Sequence, residues 1–404
     1  MLPYRYAQNN QTAPLLLLCW RFLISAPLLV LYTAGYRISL NNYRVLETGA
    51  IAVSTTPKGA SITVNEKTAS NKSPTVVQNV LPQTVPVRLT KNGYIPWQDS
   101  VKVSPGQTTY VTSILYADET AEAVSTFPGA VTAVKSFNGR YIGVIQDKTS
   151  VDGGTEVSLY DVIVKEEKFL TALPKSASSY TLAFSPETSI LVILQDGIPI
   201  TGFTVNAEQV STDTLRDALQ SSAPVKIIDN GKNVEVRSSK GTNDLLALLP
   251  EGTYEVLTAD DEYLVLRDSR KTITIVSLSG SNVVTLDVPA QLWAWLPDSH
   301  LLAWSDGIEV NTYDAVNRTR TFLTRQSDLI QSLMWHPTGG AVIFGTASRV
   351  TSLDLEGHES RVSTPLLISQ GSITSAWIDK TGKTLYTLQT VNGVPTLYRR
   401  KLVK

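Results

Sequence analysis

WAWLPDSHLLAW, residues 293–304, is two apolar runs separated by the polar turn Pro297, Asp298, Ser299 and His300. Short apolar runs bounded by turn formers read as strands, and two around one turn read as antiparallel neighbours. The pattern recurs as VKSFNGRYIGVI, LAFSPETSILVIL, VKIIDNGKNVEV, VLTADDEYLVL, LMWHPTGGAVIF and SAWIDKTGKTLYTL. Equivalent positions before the turns are Lys135, Phe184, Ile227, Leu257, Trp295, Trp335 and Trp377. Most intervals approach ~40 to 45 residues, the length of one four-stranded propeller blade. The polar stretch SVDGGTE at 150–156 lengthens the first interval, and the third is short.

Further strand candidates, VSLYDV, ITIVSLSG, IEVNTYDA and RVTSLDLEG, fill the space after each pair. Little room is left for helix, and DTLRDAL at 213–219 is the one short helix expected. The reading is an all-β chain whose residues 119–404 form a β-propeller of about seven blades, with six to eight as the range. The last segment offers only ITSAWI, TLYTLQT and VPTLYRRKLV, so a run within 119–134 is expected to complete that sheet. Trp295, Trp335 and Trp377 share one structural position, which makes them packing residues within or between blades. The turns FSPE, WLPD and WHPT resemble the W-S-P-D-G signature of the TolB-like and WD40-like propellers, a likeness that implies the fold and no particular activity.

Ahead of the repeats, residues 14–36 read PLLLLCWRFLISAPLLVLYTAGY and carry one charge, Arg21. The apolar side chains Leu15, Leu16, Leu17, Leu18, Phe22, Leu23, Ile24, Leu28, Leu29, Val30 and Leu31 together favour membrane insertion by about 5 kcal/mol, against about 2.5 to 3.5 kcal/mol for a central Arg. Arg21 lies about 10 Å along such a helix, within snorkelling reach of one face. Tyr32 and Tyr36 suit the opposite interface. No A-x-A-like cleavage site follows the run, so a retained signal anchor is expected rather than a removed signal peptide. Residues 1–13 are then a cytoplasmic tail and the bulk lies outside the membrane, although Arg5 on one side and Arg37 and Arg44 on the other nearly balance.

Between anchor and repeats, residues 45–117 contain six short strand-like runs: 51–54, 61–64, 75–77, 85–89, 97–103 and 109–115. The turn signals PKG, NEK, LPQ, KNG and SPG separate them, which predicts a small β-sandwich. Within it Pro57, Lys58, Gly59 and Ala60 read as a turn that reverses the chain between two half-buried strands. GAIAVSTTPKGASITVN, then SPTVV, then VRLTKNGYIPWQDSVKVSPGQ resemble the PEGA domain, an envelope-associated β domain named for a Pro-Glu-Gly-Ala turn. Lys58 stands where that name has Glu. The resemblance implies an extracytoplasmic spacer or interaction module, with Pro57 and Gly59 shaping the turn and Asn92, Gly93 and Tyr94 forming a second one. Tyr94 and Trp97 read as packing residues of a small sandwich.

Composition narrows the chemistry. Lys plus Arg number 35 and Asp plus Glu 36, for a net charge of −1, and no Lys/Arg cluster offers phosphates a cationic face, so no nucleic-acid partner is expected. Cys19 is the one cysteine, so no intramolecular disulfide can form. His300, His336 and His358 fall in or near separate turns, and no H-E-x-x-H or Cys/His spacing is present, so no metal and no cofactor are expected. G-x-S-x-G and the phosphate-binding glycine motifs are also missing. Turn acids such as Asp260, Asp261 and Glu262 could in principle pair for glycosidic chemistry, but turn preference explains them first. Asn317-Arg318-Thr319 fits a glycosylation acceptor and carries no weight by itself.

Three functions compete. The first is a non-catalytic, membrane-anchored protein of the bacterial cell envelope that binds a protein or cell-wall polysaccharide partner. The second is a propeller hydrolase or lyase acting on an extracytoplasmic glycan or peptide, and the third a scaffold tethered on the cytoplasmic side. The order of modules and the lack of catalytic motifs favour the first.

Overall fold

The computed structural model describes residues 12–33, 35–39, 44–136, 138–147, 154–174, 180–185, 189–211, 215, 225–239, 244–279, 282–286, 288–356 and 361–404, with the side-chain surroundings of 12–17, 38, 39, 44 and 45 left aside. The fold is all-β after one N-terminal helix. It forms two compact units, residues 1–115 with 356–362, and residues 116–355 with 363–404.

The first unit opens with the helix Thr12–Thr33. It stops three residues short of the expected run because Gly35 turns into the left-handed region at φ +91° and its N–H donates to the Tyr32 carbonyl at 3.3 Å. Arg37 then satisfies two carbonyls, donating from Nη1 to Tyr32 at 2.8 Å and Tyr36 at 2.9 Å, with its guanidinium 3.7 Å over the Tyr32 ring. Tyr36 therefore begins a strand, Tyr36–Ser39, paired with Arg44–Glu47. Among the described residues no helix is long and apolar enough to cross a membrane. Of the expected anchor residues, Leu15, Leu16 and Leu17 lie outside the described side chains.

Two sheets follow. One orders Thr75–Val80, Gly49–Thr56 and Thr108–Ile114; the other orders Lys67–Thr68, Ser61–Val64, Thr84–Thr90 and Trp97–Lys102. Gly49–Thr56, Ser61–Val64, Thr84–Thr90 and Trp97–Lys102 alternate, sending Ile51 and Val53 from one sheet and Ile62, Val85, Val87, Leu89, Trp97 and Val101 from the other into the core. The turn at 57–60 differs from expectation. Gly49–Thr56 and Ser61–Val64 do not pair with each other but belong to different sheets, so Pro57 to Ala60 carry the chain across instead of folding a hairpin. The outer strand Thr108–Ile114 pairs in parallel with Gly49–Thr56, a connection that a meander of six strands would not make.

The second unit contains seven described antiparallel sheets. The first is built from Ala130–Lys135, Tyr141–Asp147, Thr155–Asp161 and Glu166–Leu173; the second and third have three described strands each, beginning at Tyr180 and Val225. The fourth, fifth and sixth run from Tyr254, Leu292 and Ile330 with four strands apiece. The seventh holds Ser372–Ile378, Thr384–Val391 and Val394–Lys401, and its fourth strand is Glu122–Thr126, as the sequence predicts. The helix expected at 213–219 lies outside the described residues apart from Leu215, which packs on Ile190 and Val192.

Shared cores explain why the second strands Leu191–Gln195, Tyr263–Asp268, Leu301–Ser305 and Ala341–Thr346 carry apolar side chains at successive positions. Val265, Leu302 and Trp304 join the fourth and fifth sheets, Ala303, Val310, Val342 and Phe344 the fifth and sixth, and Val234, Val236, Leu264 and Leu266 the third and fourth. Ala341–Thr346 is buried at every position because a neighbouring sheet covers each face. Phe127, beside the strand Glu122–Thr126, is fully buried with Ile142, Val144, Trp377 and Leu397, and meets Tyr160 edge-on at 5.5 Å. Phe127→Ala should cost about 3 to 5 kcal/mol in urea unfolding of the full chain in detergent, and a loss below about 1 kcal/mol would place the run 122–127 outside the core.

Candidate functional site

Three sequence elements meet around the crossing at Pro57 to Ala60. The Gly59 N–H donates to the Ser73 carbonyl at 2.8 Å, the Ser73 N–H to the Ala60 carbonyl at 2.9 Å, and the Ala60 N–H to Ser73 Oγ at 2.9 Å. Thr55 Oγ1 shares a hydrogen bond with Ser73 Oγ and donates to the Pro57 carbonyl at 2.8 Å. From the Lys91-Asn92-Gly93-Tyr94 turn, Lys91 Nζ donates to the Lys58 carbonyl at 2.9 Å. Gly59 sits at φ +90°, where a side chain is strained, and an added Cβ would lie 3.3 Å from Lys91 Nζ. Ser73 is the residue that sequence reading missed; its place before Pro74 was the available signal. The groups named here bond to the backbone or to one another, so the cluster fixes the shape of the crossing.

In the second unit the recurring tryptophans bind neighbouring sheets. Trp335 Nε1 donates to the Ala294 carbonyl at 3.0 Å, Trp377 Nε1 to the Gly139 carbonyl at 3.1 Å, and Trp295 Nε1 to Asp260 Oδ2 at 3.0 Å. Each indole packs its body between sheets and spends its one donor on another sheet, Trp295 and Trp377 at a turn and Trp335 at the strand residue Ala294. The turn acids act alike. Asp229, Asp260, Asp268, Asp306, Asp314 and Asp379 each accept backbone N–H groups two to four residues ahead, at 2.7 to 2.9 Å.

The histidines stay apart. His300 Nδ1 lies 3.1 Å from Asp260 Oδ2, and its ring packs on Tyr263 with centroids 5.0 Å apart. His336 is buried, with Nδ1 2.8 Å from Thr338 Oγ1 and the Tyr116 ring edge-on at 6.1 Å. Burial pushes His336 down to about 4. The same burial drives the Tyr116 hydroxyl, 2.8 Å from Ser352 Oγ, upward. His358 lies outside the described residues. Among the described residues no three His, Cys, Asp or Glu side chains gather to hold a metal ion.

A polar cleft of about 170 Å³ opens where the first sheet meets the turn at Val205 and Asn206. Arg140 forms one wall, donating from Nε at 3.2 Å and Nη2 at 3.0 Å to Asp161 Oδ2. Asp161 Oδ1 accepts from Ile163 and Val164 at 2.9 and 3.1 Å. Partial burial opposes ionisation of Asp161, but Arg140 and the two amides outweigh it and hold its pKa below the ordinary aspartate value.

Residues 48–116 match the PEGA domain family model. The matched span contains the whole crossing cluster, so the PEGA-like motif elements Pro57 to Ala60, Ser73-Pro74 and Lys91 to Tyr94 are the ones the fold draws together. No curated protein matches the chain. Among solved structures it is similar to one titled "Crystal Structure of Mitotic Checkpoint Complex", with 12% identity and a TM-score of 0.44, covering 70% of this chain and 91% of that one.

Two outcomes check these roles. Lys58 contributes its carbonyl while its side chain is exposed, so Lys58→Glu should shift unfolding by less than about 0.5 kcal/mol, whereas Ser73→Ala, which strands the buried Ala60 N–H, should cost about 1 to 3 kcal/mol. His336 is neutral when folded and takes up a proton more readily when unfolded. Its contribution is complete above about pH 6.5 and declines as pH falls towards 4, where about 3 kcal/mol is lost. Urea midpoints from pH 7 to 4 should therefore fall less steeply in His336→Gln than in the native chain; parallel slopes would refute the assignment.

Proposed function

We propose that this chain is a membrane-anchored, non-catalytic binding protein of the cell envelope: its helix is the anchor, its PEGA-like unit a spacer, and its second unit a seven-bladed β-propeller that presents turns to a protein or cell-wall polysaccharide. The carrying observation is the helix surface. Leu18, Trp20, Phe22, Leu23, Ile24, Leu28, Leu29 and Val30 are each more than half exposed, and at about 3.6 residues per turn these positions surround the helix axis. A helix apolar on all sides needs an apolar solvent, which the protein itself does not provide to these side chains. The sequence run 14–36 supplies the length of a single span, and Tyr32 with Arg37 stacked on it suits the headgroup region at the helix end.

The non-catalytic reading is supported by the turn acids, which are committed to backbone caps, and by the tryptophans, which are committed to packing. The PEGA match supports an envelope setting for the unit next to the anchor. In this reading the N-terminus is cytoplasmic and both β units lie outside; the flanking charges nearly balance, and the PEGA match supports the outward side.

Glu251 occupies an exposed turn, and the native thiol, Cys19, lies within the anchor. Glu251→Cys should react with a membrane-impermeant maleimide on intact cells. Reaction only after lysis would reverse the orientation, and release of the native chain by alkaline carbonate would remove the anchor.

A further inference from the structure

The cleft beside Arg140 has features the packing of the unit does not require. On the strand Glu166–Leu173, Glu166 and Lys168 are two residues apart and face the same side, towards the cleft. Glu167 between them turns the other way and accepts a hydrogen bond from Ser158 Oγ. The side chains of Glu166 and Lys168 have no hydrogen-bonded or ionic partner among the described residues, and Asn206 adds an exposed residue from the other side of the cleft. The two rims are preset. Asp161 fixes one through Ile163 and Val164, and Thr204 fixes the other by accepting from Asn206 N–H at Oγ1 and from Ala207 N–H at its carbonyl, at 3.3 and 3.0 Å.

The charges cancel within the cleft. Arg140 is neutralised by Asp161, and Glu166 faces the same space as Lys168. A net anion or cation would find no matching field there, and an apolar ligand would strand these polar groups away from water. A neutral ligand dense in hydroxyls suits it, because each hydroxyl both donates and accepts and can serve Lys168, Asn206 and Glu166 together. The volume of about 170 Å³ is well below that of a drug-sized pocket and admits one sugar ring.

We infer that this cleft binds a single neutral pyranose residue of a polysaccharide, held by Glu166, Lys168 and Asn206 against the Arg140–Asp161 wall. The assignment rests on the binding role proposed above and selects polysaccharide over protein as the partner.

The test uses the full chain in detergent micelles and saturation-transfer NMR with two neutral probes, a β-1,4-linked tetramer of N-acetylglucosamine and maltotetraose. At least one should receive saturation at its ring protons. Its affinity should fall about tenfold or more in the double variant Glu166→Ala/Lys168→Ala with the thermal midpoint unchanged, the worth of at least one charge-assisted hydrogen bond. No transfer to either probe, or equal affinity in the variant, overturns the cleft. Co-sedimentation with insoluble envelope polymer separates this from the broader role: equal sedimentation of native chain and variant overturns the cleft alone. If the native chain neither sediments nor cross-links to an envelope protein, the binding role falls as well.

Discussion

A sheet that is apolar on both faces must be covered on both, and in the fourth and fifth sheets of the second unit each covering is supplied by a neighbouring sheet. Leu302 and Trp304 face the fourth sheet while Ala303 of the same strand faces the sixth. Alternation along one strand therefore feeds two cores at once, and a second-strand position made polar exposes a defect to two sheets. The same constraint explains why the end of the chain needs its beginning. Val394–Lys401 would be left as an open edge without Glu122–Thr126, and Phe127, just after that strand, carries the burial of Trp377 and Leu397 back to the first sheet.

Turn chemistry is subordinate to that packing. The Trp295 and Trp335 indoles reach the preceding sheet and the Trp377 indole reaches the first, so one residue type at one repeat position serves different partners. Asp260 shows how far a single carboxylate can be shared: it caps Glu262 and Tyr263 through Oδ1 and receives Trp295 and His300 through Oδ2. Such a group orders a junction between sheets and has no remaining lone pair aimed at a substrate. Surface chemistry instead collects where strands end and side chains outnumber their partners, as at Glu166 and Lys168.

The first unit follows a different logic. Its strands are short and its core small, so hydrogen bonds at the crossing between sheets take a larger share of specifying the fold. Ser73 holds three separate groups there, and Lys91 reaches in from a third segment. That convergence accounts for the spacing of Pro57 to Ala60, Ser73-Pro74 and Lys91 to Tyr94 without assigning any of them a ligand.

The sequence by itself determined the strand content, the repeat, the sharing of the last sheet between the two ends of the second unit, and the packing role of Trp295, Trp335 and Trp377. Each follows from local pattern: the period of apolar residues, the turn formers between them, and a final repeat one strand short. Only the tertiary structure decided that Pro57 to Ala60 join two sheets instead of reversing within one, since strand pairing depends on distant partners and the parallel pairing with Thr108–Ile114 has no local signature. The helix ended at Thr33 because Gly35 and Arg37 act together through space. The cleft was invisible for the same reason: Arg140, Asp161, Lys168 and Asn206 are ordinary charged or turn residues in their own segments, and become a site only when folding sets a loop of the second sheet beside the first.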